Sequence, residues 1–430
     1  MKLSSKISIA LLALGIVTSA SADNVVYLTG STAFRSIVFN ALNDNLGDTG
    51  AVFDVGTVTR ATRGNATPSK CGYMLFHGNI NSTPTYIDCA WSGSEAGIAS
   101  ASGISIQNVN NQGVSVPLAG SPETWMKADG TVSMVDGSTN PAPAELESSS
   151  HIADLAQADT SQGVSLTPFV ASTSTALTDF GTEGVVTFVW SKNYNSHPVQ
   201  EWSDITNVTL PQIDGILSAG YETTAFFTGK ASESNNYVYL VGRNKGSGTR
   251  ANVIADHSYG PTTKAVQQYS IGEGIEQMAV STCTLDYEGD NGYESGGNVA
   301  TAMSIDGSCQ TQDPFSSHTN WMAIGYLGCS DALSITGSTN NFLTLDGVPE
   351  NDGTIEEGQY YFWGHEHLYG RYQISGFQQT DGQKLFTAVT AQINNISQYG
   401  SVPSANDPAI GYKYMHAAKT SDVAYPSRLY

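Results

Sequence analysis

Basic residues are what this 430-residue chain has least of. Its 18 Lys and Arg stand against 39 Asp and Glu, a formal net charge of −21. Such a surface repels nucleic acid and anionic lipid at long range, which argues against both as partners. Long apolar runs are also scarce. The run from Ile7 to Val17 is too short to span a bilayer, and no later stretch is apolar enough, so no direct membrane insertion is expected. Only five cysteines occur, at 71, 89, 283, 309 and 329, and no Cys/His spacing resembles a zinc site. His365-Glu366-His367 puts two imidazoles on one face of a strand with no third ligand nearby, so an exposed strand pair is expected there, not a metal. No internal repeat and no nucleophile–base pair is visible. Neither a cofactor nor a catalytic step is expected.

What the chain does have begins with an export signal. Lys2 and Lys6 form a basic region, Ile7 to Val17 an apolar core, and Ala20-Ser21-Ala22 a small-x-small cleavage site. Residues 1–22 are therefore expected to be removed, leaving a soluble periplasmic or extracellular chain from Asp23. No cysteine sits at the cleavage site to carry a lipid. Loss of Lys2 and Lys6 takes the net charge from −21 to −23. An oxidising compartment favours disulfides. Nearest-neighbour pairing gives Cys71–Cys89 and Cys283–Cys309, each closing a polar insertion, and leaves Cys329 buried and free. Cys309–Cys329 is the alternative.

Strands alternate with helices along the chain, the pattern of an α/β protein. Val25 to Leu28 reads as a strand, followed by a helix with Phe34, Ile37, Val38, Ala41 and Leu42 on one face. Residues 60–90 read as a loop-rich insertion, and 104–150 as a polar surface excursion. Val185 to Trp190 is a buried strand. Thr209-Leu210-Pro211-Gln212 is a capping box opening a helix that stops at Gly220. Residues 283–320 form another polar insertion. Ala323 to Leu327 and Gln359 to Trp363 read as strands, and Leu385, Phe386, Val389 and Ile393 mark a late amphipathic helix.

The most informative stretch is Arg243-Asn244-Lys245-Gly246-Ser247-Gly248-Thr249-Arg250, between the apolar run Tyr237 to Val241 and a helix-like run from Ala251. A Gly/Ser/Thr turn that feeds a helix N-terminus aims free amides and the positive end of the helix dipole at one point. Arg243 adds a fork of donors suited to an oxyanion. The same design occurs at Gly30-Ser31-Thr32-Ala33 and at Gly93-Ser94-Glu95-Ala96, and Asp159 lies in an acidic turn. Three such turns in one acidic chain suggest a cage for a small tetrahedral anion, built from local dipoles and donors and not from the global field.

In their order, these landmarks resemble the periplasmic phosphate-binding proteins of ABC transporters, within the type II solute-binding superfamily. The resemblance runs through Leu28 to Thr32, Gly93 to Ile98, Ala158-Asp159, Val185 to Trp190, Leu210 to Gly220, Arg243 to Thr249, Ala323 to Tyr326 and Gly358 to Tyr369. It implies a two-lobed type II periplasmic-binding-protein fold, with the ligand cleft between the lobes and two hinge crossings. Residues 23–184 and 327–430 would form lobe 1 and residues 185–326 lobe 2. It implies capture of inorganic phosphate or a related oxyanion, delivery to an ABC transporter permease, and no enzyme activity. Thr32 and the Ala33 backbone would bind from the first turn and Ser94 from the second. Arg243, Ser247, Gly248 and Thr249 would bind from the third. Asp159, acceptor-only when ionised, would select a protonated phosphate over sulfate. Ala33 stands where the family often has an aromatic residue. Glu95 would repel an anion unless it points outward or pairs with a cation such as Arg35. Two other readings stay open: a secreted structural protein that kept the fold without transport, and a phosphate-ester hydrolase.

Overall fold

The computed structural model describes residues 23–43, 51–54, 56, 58–63, 71–104, 107–109, 115–117, 123–128, 135–136, 146–164, 176–272, 284–308, 321–337, 341–371, 374–396, 409–419 and 426–428. The export signal and the Cys283–Cys309 pair fall outside the described residues. The protein is a mixed α/β structure. Its principal strands are β1 (Asn24–Gly30), β2 (Thr59–Arg63), β3 (Tyr73–Ile80), β4 (Thr83–Ala90), β5 (Leu155–Ala158), β6 (Thr178–Lys192), β7 (Tyr237–Val241), β8 (Met322–Gly328), β9 (Phe342–Leu345) and β10 (Trp363–Gly370). The longer helices are α1 (Arg35–Asn43), α2 (Ser94–Ala101), α3 (Leu210–Ala219), α4 (Gly248–Asp256), α5 (Gly296–Met303) and α6 (Phe377–Ile396).

The main sheet runs β7-β8-β6-β10-β5-β1-β4-β3-β2, with Tyr221–Thr223 at one edge and Val135–Asp136 at the other. β1 is parallel to β4 and β5, and β7 to β8, while β6 is antiparallel to both β8 and β10. Strand β6 joins two regions. Its residues up to Thr187 pair with β10, and Phe188 to Lys192 pair with β8. Both faces of Val185–Trp190 are covered, which is why the run is apolar without alternation. Phe188 and Trp190 enter one apolar cluster with α1, α3 and α6, and Val189 enters a second with Tyr239, Val299, Met303 and Leu327.

Several predicted elements stand as read. Phe34, Ile37, Val38, Ala41 and Leu42 are all buried on α1, and Leu385, Val389 and Ile393 on α6. The Gln212 side chain accepts from the Thr209 amide at 2.9 Å, and Gly220 ends α3 at φ 80°. Among the described residues no helix is long and apolar enough to cross a membrane.

Four expectations are corrected. Residues 60–90 are not a loop-rich insertion but mostly sheet, and β3 and β4 form a hairpin that completes the main sheet. Asn81 and Ser82 turn it at φ 51° and 63°, so both central residues are left-handed, as a tight hairpin whose twist matches its strands requires. The excursion at 104–150 is not wholly superficial, because Trp125 and Met126 are fully buried. Cys71 and Cys89 are buried thiols and are not joined in a disulfide; the hairpin register sets Cys89 across from Met74, displaced from Cys71. Cys329 is buried and free as expected. The late strand starts at Trp363 and carries His365-Glu366-His367 into the sheet, where His365 and Glu366 are buried. The pair was expected to be exposed. β10 lies inside the sheet between β5 and β6, where His365 packs against Tyr412 and His367 is half-buried.

Candidate functional site

The three turns meet. The Gly30 carbonyl accepts from the Gly93 amide at 2.9 Å, and the Gly246 carbonyl accepts from the amides of Glu95 and Ala96 at 3.0 and 3.2 Å. Gly93, at φ 105°, precedes α2. A Cβ there would lie 2.5 Å from the Gly246 oxygen, so only glycine lets these two turns close on each other. Because Gly246 takes them up, two first-turn amides of α2 already have an acceptor. The first-turn amides of α4, at Gly248 and Thr249, have none within their own helix.

All the residues singled out from sequence lie in this region. Thr32, Ala33, Ser94, Asp159, Arg243, Ser247 and Thr249 are none more than 3% exposed, and Gly248 is buried with them. Arg243 ties the turns together. Its Nη2 donates to Thr32 Oγ1 at 3.3 Å and to the Glu294 carbonyl at 2.8 Å, and its Nη1 to Thr249 Oγ1 at 3.5 Å. The Asp159 amide donates to Ser94 Oγ at 3.2 Å. A Cβ on Gly248 would sit 1.5 Å from Asp159 Oδ1 and 2.8 Å from Ser94 Cβ, so α4 starts against the Asp159 carboxylate. Ser247 is the N-cap of α4, and its hydroxyl accepts from the Arg250 amide at 3.3 Å. Ala33 packs under β8, 3.1 Å from where a Gly328 Cβ would be.

Charge is distributed unevenly. The other two cations of the Arg243–Arg250 stretch are taken by one acid: Arg250 Nη2 bonds Asp290 Oδ1, and Lys245 Nζ pairs with Asp290 Oδ2 at 2.8 Å. That leaves Arg243 as the cation of this motif that reaches Thr32. Burial pulls its guanidinium below the usual range, and Asp331 and Asp159 oppose that shift. Burial raises the Glu294 carboxyl. Glu366, in the sheet beside Asp159, is raised well above the ordinary carboxylate range by burial and by the charges of Asp159 and Glu183. Its environment therefore favours the neutral form more than that of an ordinary carboxylate does. Glu95 is buried and accepts from Thr160 Oγ1 at 2.7 Å; the expected cation, Arg35, pairs instead with Asp331.

Several site residues escaped the sequence reading. Asn252 Nδ2 donates to the Asp159 carbonyl at 2.9 Å and to the Gly248 carbonyl at 3.0 Å, so α4 holds the acidic turn in place. The Tyr326 hydroxyl accepts from the Arg243 amide at 3.2 Å, and Gln268 Nε2 donates to the Arg243 carbonyl at 3.1 Å. Glu294 and Asp290 come from the stretch expected to be a polar insertion. That stretch contains a fourth turn of the same design: Ser295 caps α5 by accepting from the Asn298 amide at 3.1 Å, followed by Gly296 and Gly297. Ser-Gly-Gly-Asn before Val299, Ala300 and Met303 was the available signal.

Chemically, the region offers donors from Arg243, Thr32, Thr249 and the start of α4, with one carboxylate acceptor, Asp159. This set suits an oxyanion that carries a proton. Among the described residues no group of three His, Cys, Asp or Glu is placed to hold a metal ion.

No family model matches the chain, and no curated protein matches it. Solved structures similar to it include a putative phosphate ABC transporter substrate-binding protein with bound phosphate from Clostridium perfringens, at 14% identity and TM-score 0.42, covering 85% of this chain and 92% of that one. An ABC-type phosphate transport receptor from Vibrio cholerae is 13% identical with TM-score 0.38, covering 88% of this chain and 100% of that one. A possible phosphate binding protein from Planctomyces limnophilus DSM 3776 is 10% identical with TM-score 0.36, covering 89% and 94%.

Proposed function

We propose that this chain is an exported solute-binding protein that captures inorganic phosphate, or a related tetrahedral oxyanion, for uptake by an ABC transporter. The observation that carries this reading is Arg243. Its buried guanidinium links Thr32 of the first turn to Thr249 of the third, with Asp159 against the start of α4. A buried arginine among hydroxyls and helix-start amides is an anion site that needs no positive surface, which fits a mature charge of −23. Lobe 1 comprises residues 23–184 and 327–430, and lobe 2 residues 185–326. The change of β6 partners at Phe188 supports a crossing there. Ligand binds between the lobes by closure about that crossing.

One observation favours a second reading. The Gly246 carbonyl occupies amides at the start of α2, so the turns also work as a sealed joint in a secreted structural protein. Isothermal titration of the mature chain with phosphate, arsenate and sulfate separates the two. The binding reading predicts heat with phosphate and arsenate and much less with sulfate. The joint predicts heat with none.

A further inference from the structure

Arg35, the first residue of α1, is 2% exposed, yet two of its donors, Nε and Nη2, have no hydrogen-bond partner among the described residues. Its Nη1 donates to the Cys71 carbonyl at 3.1 Å. Its ion pair is loose: Nη2 lies 3.8 Å from Asp331 Oδ1, beyond hydrogen-bond distance. The free end points at the start of α5. A Cβ on Gly297 would be 3.0 Å from Arg35 Nη2, and one on Gly296 would be 2.1 Å from Asp331 Oδ2. Glu294, just before the N-cap Ser295, accepts through its carbonyl from Arg243 Nη2. Both guanidiniums thus converge on the same helix-initiating turn, and Arg35 lies three residues after Thr32, which Arg243 also holds.

We propose that Arg35 is a second guanidinium of the anion site, held in reserve by Asp331, and that it makes the site prefer the dianion of phosphate to the monoanion. This rests on the oxyanion-binding reading above. A buried guanidinium with unfilled donors and a distant counter-charge gains more from a dianion than from a monoanion. The groups facing Arg35 are Asp331 after β8, Glu294 before α5, Arg243 after β7 and the Cys71 carbonyl before β3. Two arginines then face a doubly charged ligand, opposed by the carboxylate of Asp331, while Asp159 still requires one proton on it. The pair of conditions selects HPO₄²⁻ over both H₂PO₄⁻ and sulfate.

The test is titration of the full mature chain with inorganic phosphate at about pH 5.5 and about pH 8, either side of the second phosphate ionisation. The wild type should bind more tightly at the higher pH. Arg35→Gln should lose about ten-fold or more there and markedly less at the lower pH, the scale of one lost charge-assisted hydrogen bond. Asp331→Asn, which releases the reserve, should tighten binding at the higher pH, and this second variant decides the matter if Arg35→Gln does not fold. Equal affinity of Arg35→Gln and wild type at both pH values, with Arg243→Ala inactive, overturns the proposal and leaves the anion site intact. Weaker binding by Asp331→Asn also overturns it. No phosphate binding by the wild type at either pH removes the site and this proposal with it.

Discussion

A methyl group on Gly248 would fall 1.5 Å from Asp159 Oδ1, inside the space of the carboxylate. We expect Gly248→Ala to weaken phosphate binding more than ten-fold and to lower stability by about 1–3 kcal/mol, the range for overpacking, measured by titration and thermal unfolding. Asp159→Asn should act on selectivity. The amide offers a donor where the carboxylate offers only acceptors, so sulfate affinity should rise relative to phosphate by at least about ten-fold. An unchanged phosphate-to-sulfate ratio would remove Asp159 from the site. At this scale the sequence points to residues that chemistry marks near a turn: Thr32, Ser94, Asp159 and Arg243 are brought together in one buried region. Asn252, Asp331 and Arg35 were not readable, because their roles depend on which helices and turns pack together. An asparagine inside α4 carries no local mark that its amide will reach Asp159.

Turns and hairpins account for what was seen and missed among the elements. The turns at Gly30 and Gly246 follow stretches that read as apolar strands; the fourth, at Ser295, follows a polar stretch that hides it. The β3–β4 hairpin was missed for a related reason. Its turn is Asn81-Ser82 and not the more usual Asn-Gly, and Ser82 must adopt a positive φ without help from glycine. That hairpin also decides the cysteine chemistry. Burial raises the Cys71 thiol to about 11 and raises Cys89 and Cys329 well above the ordinary range, so all three should resist a maleimide in the native protein and react fully once unfolded. Recovery of a Cys71–Cys89 crosslinked peptide by mass spectrometry would contradict the structure here. The C-terminal residues latch α4 from its far end, through Lys419 Nζ and Asp256 Oδ1 at 2.6 Å, both buried. Lys419→Met should cost about 3–5 kcal/mol in chemical denaturation by leaving Asp256 buried without that partner.

For the molecule as a whole, sequence order was enough to expect an α/β sheet, but not its strand order, since β6 and β10 come together across nearly two hundred residues of chain. Buried acids give the whole protein a pH slope. Burial raises the Glu350 carboxyl to about 7 from an ordinary 4.5. The folded state then holds a proton that the unfolded state has lost, so this group's contribution falls as pH rises from about 4.5 to about 7 and is level above. Glu350→Gln should flatten the loss of stability across that window, and an identical slope in the variant would show that the group does not titrate this way. The long-range field acts on function. With −21 on the chain, a phosphate dianion would approach against repulsion, so its association rate should rise a few-fold between about 10 mM and about 200 mM of an inert salt. The central claim is that buried local donors, led by Arg243, hold an oxyanion on a strongly acidic protein. It is tested most directly by titrating the mature wild type and Arg243→Ala with phosphate side by side. The account predicts saturable binding by the wild type and its loss in a variant that still unfolds cooperatively. Equal binding by the two proteins, or none by the wild type, would contradict it.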